Sequence, residues 1–534
     1  MSVMPQIKHI IYYMLENRSF DNVLGWLYEN GDRPRHVIGG QPDDPPFHGL
    51  WDGGYYNCFD HDPGTRHPVQ RGVSQDGIPA FDPHEPYEHV NVQLFGKAGQ
   101  QLTVPNGTPA GMDGFLQDYS TARKGTLAPL ADMGGTLGTL AKAICPQISP
   151  AEALQILETN SPENLPVING LARNFAVSDL WFASVPTQTF ANRAFSVCGG
   201  SDGLVNNKTT LMGFKPDRFK GRTIWDALSD AGLDQPSDWM IYHQTRQLGL
   251  YCLTECAFDI PDPARHLTHA DALFEAIATD TLPRFSYLEP AWLRHNLVSN
   301  GNSFHPPGEN GPGEDFLKTL YDALTANRAV WEKTLLIISF DEHGGTYDHV
   351  PPPWGATPPW GDEKKAPYPL DHDFGFDRFG VRVPTLFVSP YIEAQTVIRS
   401  PTEVPFDHTS IIATVLTWMG VPREEWPDSA RIARAPTFEA VINRETARQD
   451  VPPANLSPPH AAMLRNPPAP EASPITPLQL KVLPLLLQKL HGGTLTALTL
   501  DLAMARVLEH GHHVAGLIAG IEAEIARVRT QQAL

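Results

Sequence analysis

Residues 335–349 read LLIISFDEHGGTYDH, and the order of residue types in that stretch decides the fold class. Leu335 to Phe340 are apolar but for one serine, the composition of a strand buried on both faces. Asp341 and Glu342 follow at once, and Gly344-Gly345 then turns the chain. A strand buried on both faces belongs to a sheet covered by helices, and in such sheets ligands bind beyond the carboxyl ends of the strands.

Similar apolar runs lie at Ile7 to Leu15, Phe175 to Leu180, Trp239 to His243, Phe285 to Leu288 and Thr385 to Val388. Helical patterns at Phe190 to Val197, Thr223 to Leu228, Ala270 to Ala278, Glu314 to Ala326 and Ser410 to Met419 alternate with them. The spacing predicts an α/β fold with a mostly parallel central sheet and helices on both faces. Two stretches break the alternation. Residues 30–132, rich in Gly, Pro, His, Asp and aromatics, read as a loop-rich insertion in a catalytic domain spanning 1–450. Residues 451–477, with PPANLSPPH and NPPAPEASP, read as an extended linker. Residues 478–534 follow as a small helical region, either a separate hairpin or a pair of helices docked on the core.

The chain of 534 residues has a formal net charge of −20, which argues against a nucleic-acid partner, because duplex binders need a basic field. A phosphate substrate then needs local positive charge, and a bound divalent ion supplies it. Five cysteines with no CxxC read as buried thiols rather than a disulfide framework. No apolar run approaches membrane-spanning length and no secretion signal is visible. The expectation is a soluble, cytoplasmic protein, with export by a route lacking a cleaved peptide as the alternative.

The chemistry concentrates at strand exits. HIIYYMLENRSFDN places Glu16 and Asn17 beyond the first strand, and the opening stretch places Asp341 and Glu342 beyond another. Carboxylate and amide oxygens converging there suit one hard divalent ion, Ca²⁺, Mg²⁺ or Mn²⁺; the competing reading is helix capping. VSDLWFASVPTQTFANR offers Ser184, Thr187 and Thr189 just before a helix, where a hydroxyl sits among backbone N–H groups that favour a phosphoryl oxygen. His84, His243, His305 and His343 could neutralise phosphoryl charge or protonate a leaving group, the competing reading for each being a surface or packing histidine.

In sequential order, IKHIIYYMLENRSFDNVLG, FDPHEPYEHVNVQ, GMDGF, LPVINGLARNFAVSDLWFASVPTQTFANR, FHPPGENGPGEDFLKTLYDAL, TLLIISFDEHGGTYDHVPPP, GVRVPTLFVSPYI and FDHTSIIATVL cover roughly residues 5–420. This pattern resembles the phosphoesterase family of non-specific phospholipases C and bacterial acid phosphatases. The resemblance implies an alkaline-phosphatase-like core and one bound metal held by Glu16, Asn17, Asp341 and Glu342. It implies Thr189 as a transiently phosphorylated nucleophile, with His84, His243 and His305 on the phosphoryl group. Three departures stand out: Thr187-Gln188 before the nucleophile, Ala191 after it, and Phe304 where an acid often precedes the histidine. The first two keep Thr187 beside Thr189 as an alternative; the third bears on the charge around His305.

The expected substrate is a phospholipid of the phosphatidylcholine type, met in transient contact with a membrane surface, or a small phosphate monoester. Trp51, Tyr55, Tyr56, Tyr87 and Phe95 offer aromatic faces to a quaternary ammonium, or else pack the insertion onto the sheet. A sulfatase would need a CxPxR-like context, which is absent. A silent phosphoester-binding module is disfavoured by the intact set of Glu16, Asn17, Thr189, Asp341 and Glu342.

Overall fold

Strand β1 (His9–Leu15) is the hub of the sheet, buried along its length apart from half-buried His9. The other strands are β2 (His36–Ile38), β3 (Ala176–Ser178), β4 (Trp239–His243), β5 (Leu267–His269), β6 (Phe285–Leu288), β7 (Thr334–Phe340), β8 (Thr385–Val388) and β9 (Thr396–Ile398). The computed structural model describes residues 3–50, 54–72, 78–101, 103–124, 142–205, 219–244, 252–292, 301–454, 497–510 and 514–532, with isolated positions between.

The nine strands lie in the order β2-β9-β3-β8-β7-β1-β6-β4-β5. Only β8 runs antiparallel to its neighbours, β7 and β3. The others share one direction, so their carboxyl ends open on one edge. Helices cover both faces. Pro166–Asn174, Ala270–Thr279 and Gly311–Ala326 pack together in one layer, and Thr189–Val197, Ile224–Asp230 and Thr409–Met419 in the other. The expected α/β architecture is therefore present.

Strand register decides which side chains meet at that edge. Leu15 lies opposite Phe340, so Glu16 and Asp341 leave the sheet side by side, and the Asp341 N–H bonds the Leu15 carbonyl at 3.2 Å. On the other side Tyr13 pairs with Leu288, and Leu288 with Tyr242. His243 is thus level with Met14, two residues short of Glu16 and two strands away, roughly 10 Å at normal strand spacing.

Three strands carry no legible signal in the sequence. β2, β5 and β9 have three residues each, too few to show a period. β2 also falls inside the stretch read as an insertion, so the insertion contributes one edge of the main sheet. It further carries helices α1 (Tyr87–Phe95) and α2 (Phe115–Tyr119), packed around Leu94, Phe115, Leu116 and Ile156. At the C-terminus, Leu500, Met504, Val507 and Ile521 share a hydrophobic cluster with Leu253 and Trp292. Positions 455–477 of the expected linker, most of 478–490, and Trp51 lie outside the described residues. Among the described residues no helix is long and apolar enough to cross a membrane.

The two most distinctive sequence blocks are stapled to each other. The Ser19 N–H donates to Thr346 Oγ1 (2.8 Å), the Ser19 hydroxyl to the Tyr347 carbonyl (2.5 Å), and the Asp21 N–H to Asp348 (3.1 Å). Beneath them Arg382 donates to Asp348 (3.0 Å) and Asp21 (2.9 Å), all three fully buried. Burial raises the Asp348 carboxyl to about 6 against the pull of Arg382, while His349 and Arg382 hold Asp21 below its usual range despite burial. Removing the guanidinium strands two buried acids. Arg382→Met should cost about 3–5 kcal/mol in denaturant unfolding, whereas Arg444→Met, on the half-exposed pair with Glu393, should cost under about 1 kcal/mol.

Candidate active site

Asn17 occupies the left-handed region, φ 57°, which asparagine tolerates, and this turns its side chain back across the sheet edge. Its N–H donates to Asp341 Oδ1 (3.1 Å), and its Nδ2 to Glu85 Oε1 (2.5 Å). The same Nδ2 lies 3.0 Å from His305 Nε2. Its Oδ1 faces the Thr189 hydroxyl at 3.4 Å, longer than a good hydroxyl hydrogen bond. One asparagine therefore gathers the exits of two strands, the insertion, the histidine loop and the start of a helix.

Thr189 is the first residue of helix α3 (Thr189–Val197) and is buried. The rival hydroxyls have other partners. Thr187 donates to the Val205 carbonyl, and Ser184 accepts from the His408 N–H at 3.3 Å. Not every first-turn donor is open, since the Phe190 N–H is taken by Asn207 Oδ1 (3.0 Å).

Arg193, one turn along α3, is a site residue that the sequence pattern does not reveal. Its Nε donates to Asp341 Oδ2 (3.0 Å), its NH2 group lies 3.9 Å from Glu16 Oε1, and its guanidinium sits 4.8 Å over the Trp292 ring. Both Glu16 carboxylate oxygens are buried without a hydrogen-bond partner. Burial and the neighbouring Asp341 push the Glu16 carboxyl up to about 8. Asp341 is also raised by burial, against the pull of Arg193. Glu342 joins through its N–H to Asp341 Oδ1 (2.7 Å), and its own Oε2 accepts the Gly344 N–H (2.7 Å). A buried acidic pair with one arginine and an unsatisfied carboxylate is short of positive charge. Hard oxygen donors in that state fit a divalent cation.

His305 Nδ1 lies 2.6 Å from the Pro306 carbonyl, which can only accept, so Nδ1 carries a proton and Nε2 points at Asn17 and Glu85 (3.3 Å). Burial alone would lower this imidazole, but Glu85, with Asp82 and Glu16 behind it, pushes it up to about 9. Phe304, the departure before it, does not set that charge: its ring packs on Phe340, and its carbonyl accepts Arg18 Nε (2.8 Å). The acids come from the insertion instead, and Glu85 was legible only as the neighbour of His84.

His84 is backed by Asp118 (3.4 Å) and stacks on His89 with ring centroids 4.0 Å apart. Gln93 ties the group inward, donating to the His84 carbonyl and to Asp118 (both 2.8 Å) and meeting His343 Nε2 at 2.7 Å. Burial lowers His343 to about 3, so it is neutral here and serves as a strut behind Glu342. His243 contacts the His269 ring at 5.6 Å and sits below and beside the cluster, the one expected site residue that the sheet register holds apart.

Glu314 of FHPPGENGPGE caps a helix, accepting the Val167 (2.6 Å) and Ile168 (3.0 Å) N–H groups. Tyr87 and Phe95 of the insertion do not stand open for a quaternary ammonium: together with Trp354 and Phe374 they surround the buried Arg378 guanidinium at 5.1–5.4 Å. Tyr55 stacks on His349 and Tyr56 lies under Arg66.

The Gly344-Gly345 turn is the mechanical joint. Both glycines have positive φ, 60° and 65°; a Cβ on Gly344 would overlap the Asn17 carbonyl, and one on Gly345 would lie 2.6 Å from the His84 carbonyl. Gly344→Ala should therefore cost about 1–3 kcal/mol of stability and lower kcat at least about tenfold by displacing Asn17. Unfolding curves and steady-state kinetics on one preparation check both.

The Phosphoesterase family profile matches residues 7–422, which contain every residue of this cluster. The chain belongs to the phosphoesterase family. Among curated proteins, non-specific phospholipase C4 of Arabidopsis thaliana is 31% identical over 468 residues, covering 84% of this chain and 73% of that protein. Non-specific phospholipase C5 of the same plant is 32% identical over 463 residues, with 84% and 76% covered. Phospholipase C A of Mycobacterium tuberculosis is 26% identical over 449 residues, with 78% and 74% covered. This phosphoesterase is a phosphoric ester hydrolase, and its donor groups point to a metal ion.

Proposed function

We propose that the chain is a metal-dependent phospholipase C, cleaving a phosphodiester of the phosphatidylcholine type through a phosphothreonine at Thr189. The observation that carries this is the reach of the Thr189 hydroxyl to Asn17 Oδ1 while Thr187 and Ser184 are engaged elsewhere. Glu16, Asn17, Asp341 and Glu342 would hold one divalent ion, Ca²⁺, Mg²⁺ or Mn²⁺, and when bound it would supply charge to lower the threonine pKa and to offset phosphoryl oxygens.

The chain's own residues do the rest. Thr189 Oγ1, its proton given up to solvent, forms the new P–O bond as the ester P–O bond to the departing alcohol breaks, leaving a threonine ester that still carries the head group. His305, held charged by Glu85 and Asp82, gives that alcohol its proton, and as a neutral base takes one from the water that later cleaves the phosphothreonine. His84, oriented by Asp118, faces the phosphoryl group from the insertion; His243 lines the outer end of the same sheet edge. Positioning dominates, as phosphoryl transfer demands.

The relatives named as phospholipases C favour the diester over the monoester. With Arg378 filling the aromatic cage, head-group choice falls to other walls of the cleft. Turnover of p-nitrophenylphosphorylcholine against p-nitrophenyl phosphate, before and after chelation, tests the reading. The diester should be preferred and chelation should stop both reactions. Monoester preference would make it an acid phosphatase, and no turnover of either with metal restored would leave a phosphoester-binding module.

A further inference from the structure

Among the described residues three groups bring three donor atoms within 4.8 Å of one another: Asp21–Asp348–His349, Asp82–Glu85–His305 and His84–His89–Asp118. Arg382 bonds both carboxylates of the first, and the second belongs to the active site. The third is different in kind. It holds one carboxylate and two imidazoles, and no arginine or lysine pairs with Asp118 among the described residues. Its parts come from the loop before α1, from α1 itself and from α2.

Both histidines aim the same ring atom at one acid. His89 Nδ1 lies 2.7 Å from Asp118 Oδ1 and His84 Nδ1 3.4 Å from Oδ2, and the rings stack with an angle of 28° between planes. Such convergence gives two N–H donors to a carboxylate, or two lone pairs to a cation once the ring protons move to Nε2. Two nitrogens and one oxygen suit a borderline ion such as Zn²⁺ and are too few oxygens for Ca²⁺. Gln93, donating to Asp118 Oδ2 at 2.8 Å, supplies the outer hydrogen bond that fixes a ligating carboxylate. Asp118 and His84 are buried, while the His89 side chain is 24% exposed, which gives an ion a way in.

We infer that His84, His89 and Asp118 form a second cation site, distinct from the Glu16–Asp341 centre, that takes Zn²⁺ and inhibits the enzyme. An imidazole bound to metal through Nδ1 keeps its Nε2–H but can take up no second proton, so Zn²⁺ would hold His84 out of the imidazolium form that would offset phosphoryl charge. The inhibitory half rests on the proposed role of His84; the binding half does not.

The experiment uses the holoenzyme with its own metal in place and adds Zn²⁺, reading stoichiometry by competition with 4-(2-pyridylazo)resorcinol and turnover in parallel. Wild type should bind one more Zn²⁺ per chain than His89→Asn. The concentration of Zn²⁺ that halves turnover should rise at least about tenfold in that variant. X-ray absorption of the added Zn²⁺ in wild type, which needs no variant to fold, should show two imidazoles with oxygen. Equal stoichiometry in the two proteins, or an oxygen-only shell in wild type, would overturn the site. The extra ion bound with turnover unchanged would overturn the inhibition and, with it, the role given to His84, leaving the site itself standing.

Discussion

Thr189→Ala should fold, bind the divalent ion and turn over substrate at least about 10⁴-fold more slowly, the scale seen when a nucleophile is removed from a site whose other parts persist. Thr189 is buried at the first position of a helix, and among the described residues its hydroxyl has a single hydrogen-bond partner, at 3.4 Å. Little stability depends on it, so the thermal midpoint should move by no more than a few degrees. Thr187→Val makes the contrast. It deletes a structural hydrogen bond to Val205 and should cost stability while leaving kcat within about tenfold of wild type. Thr189→Ser should keep measurable turnover, because the oxygen stays. A Thr189→Ala enzyme that keeps more than a hundredth of its kcat removes the threonine from the reaction.

Glu16→Gln should separate stability from activity in the opposite sense. In the metal-free protein Glu16 is a buried carboxyl beside Asp341 that accepts no hydrogen bond among the described residues, raised from 4.5 to about 8, and His305 is raised from 6.5 to about 9. Folded values above the unfolded ones mean that both groups favour the native state below their unfolded values and lose that contribution as pH rises through the folded ones. Metal-free wild type should therefore lose stability steadily from about pH 5 to pH 9, with Asp341 adding to the slope. A divalent ion binds the ionised carboxylates, so the stabilisation it gives should grow over the same range. Replacing Glu16 by the uncharged isostere should flatten the metal-free profile, raise the midpoint near pH 8 by several degrees, and abolish both the metal response and turnover. Thermal melts across pH, with and without added Ca²⁺, Mg²⁺ or Mn²⁺, measure all of this. A Glu16→Gln protein that still gains stability from the ion would place the metal elsewhere.

The long buried strands were legible because continuous apolar runs on both faces leave few alternatives, and β4, β6 and β8 begin and end where the sequence puts them. The short strands β2, β5 and β9 were not, since pairing with neighbours distant in the chain, rather than local pattern, makes them strands. At the site, Glu16, Asn17, Asp341 and Thr189 could be found as polar residues at strand and helix junctions. What escaped was everything set by the insertion's return path: Glu85 charging His305, Asp118 and His89 behind His84, and Gln93 linking them to His343. Each is an ordinary polar residue on a loop or short helix until long-range packing gives it a partner. Arg193 was hidden for another reason. An arginine one turn into a helix reads as solvent-facing, and only the burial of α3 against β1 turns it onto two acids.

In this mechanism the phosphoryl group, with its head group attached, passes through Thr189. Acid quenching of the enzyme during turnover of p-nitrophenylphosphorylcholine, followed by mass spectrometry of the peptide containing residues 185–193, tests it most directly. Phosphorylcholine, the group left when p-nitrophenol departs, should appear esterified to Thr189 in wild type and to the serine of Thr189→Ser, and be missing from Thr189→Ala. Phosphorylcholine on Thr187, on a histidine, or on no residue while product accumulates in a burst would exclude Thr189 as the nucleophile.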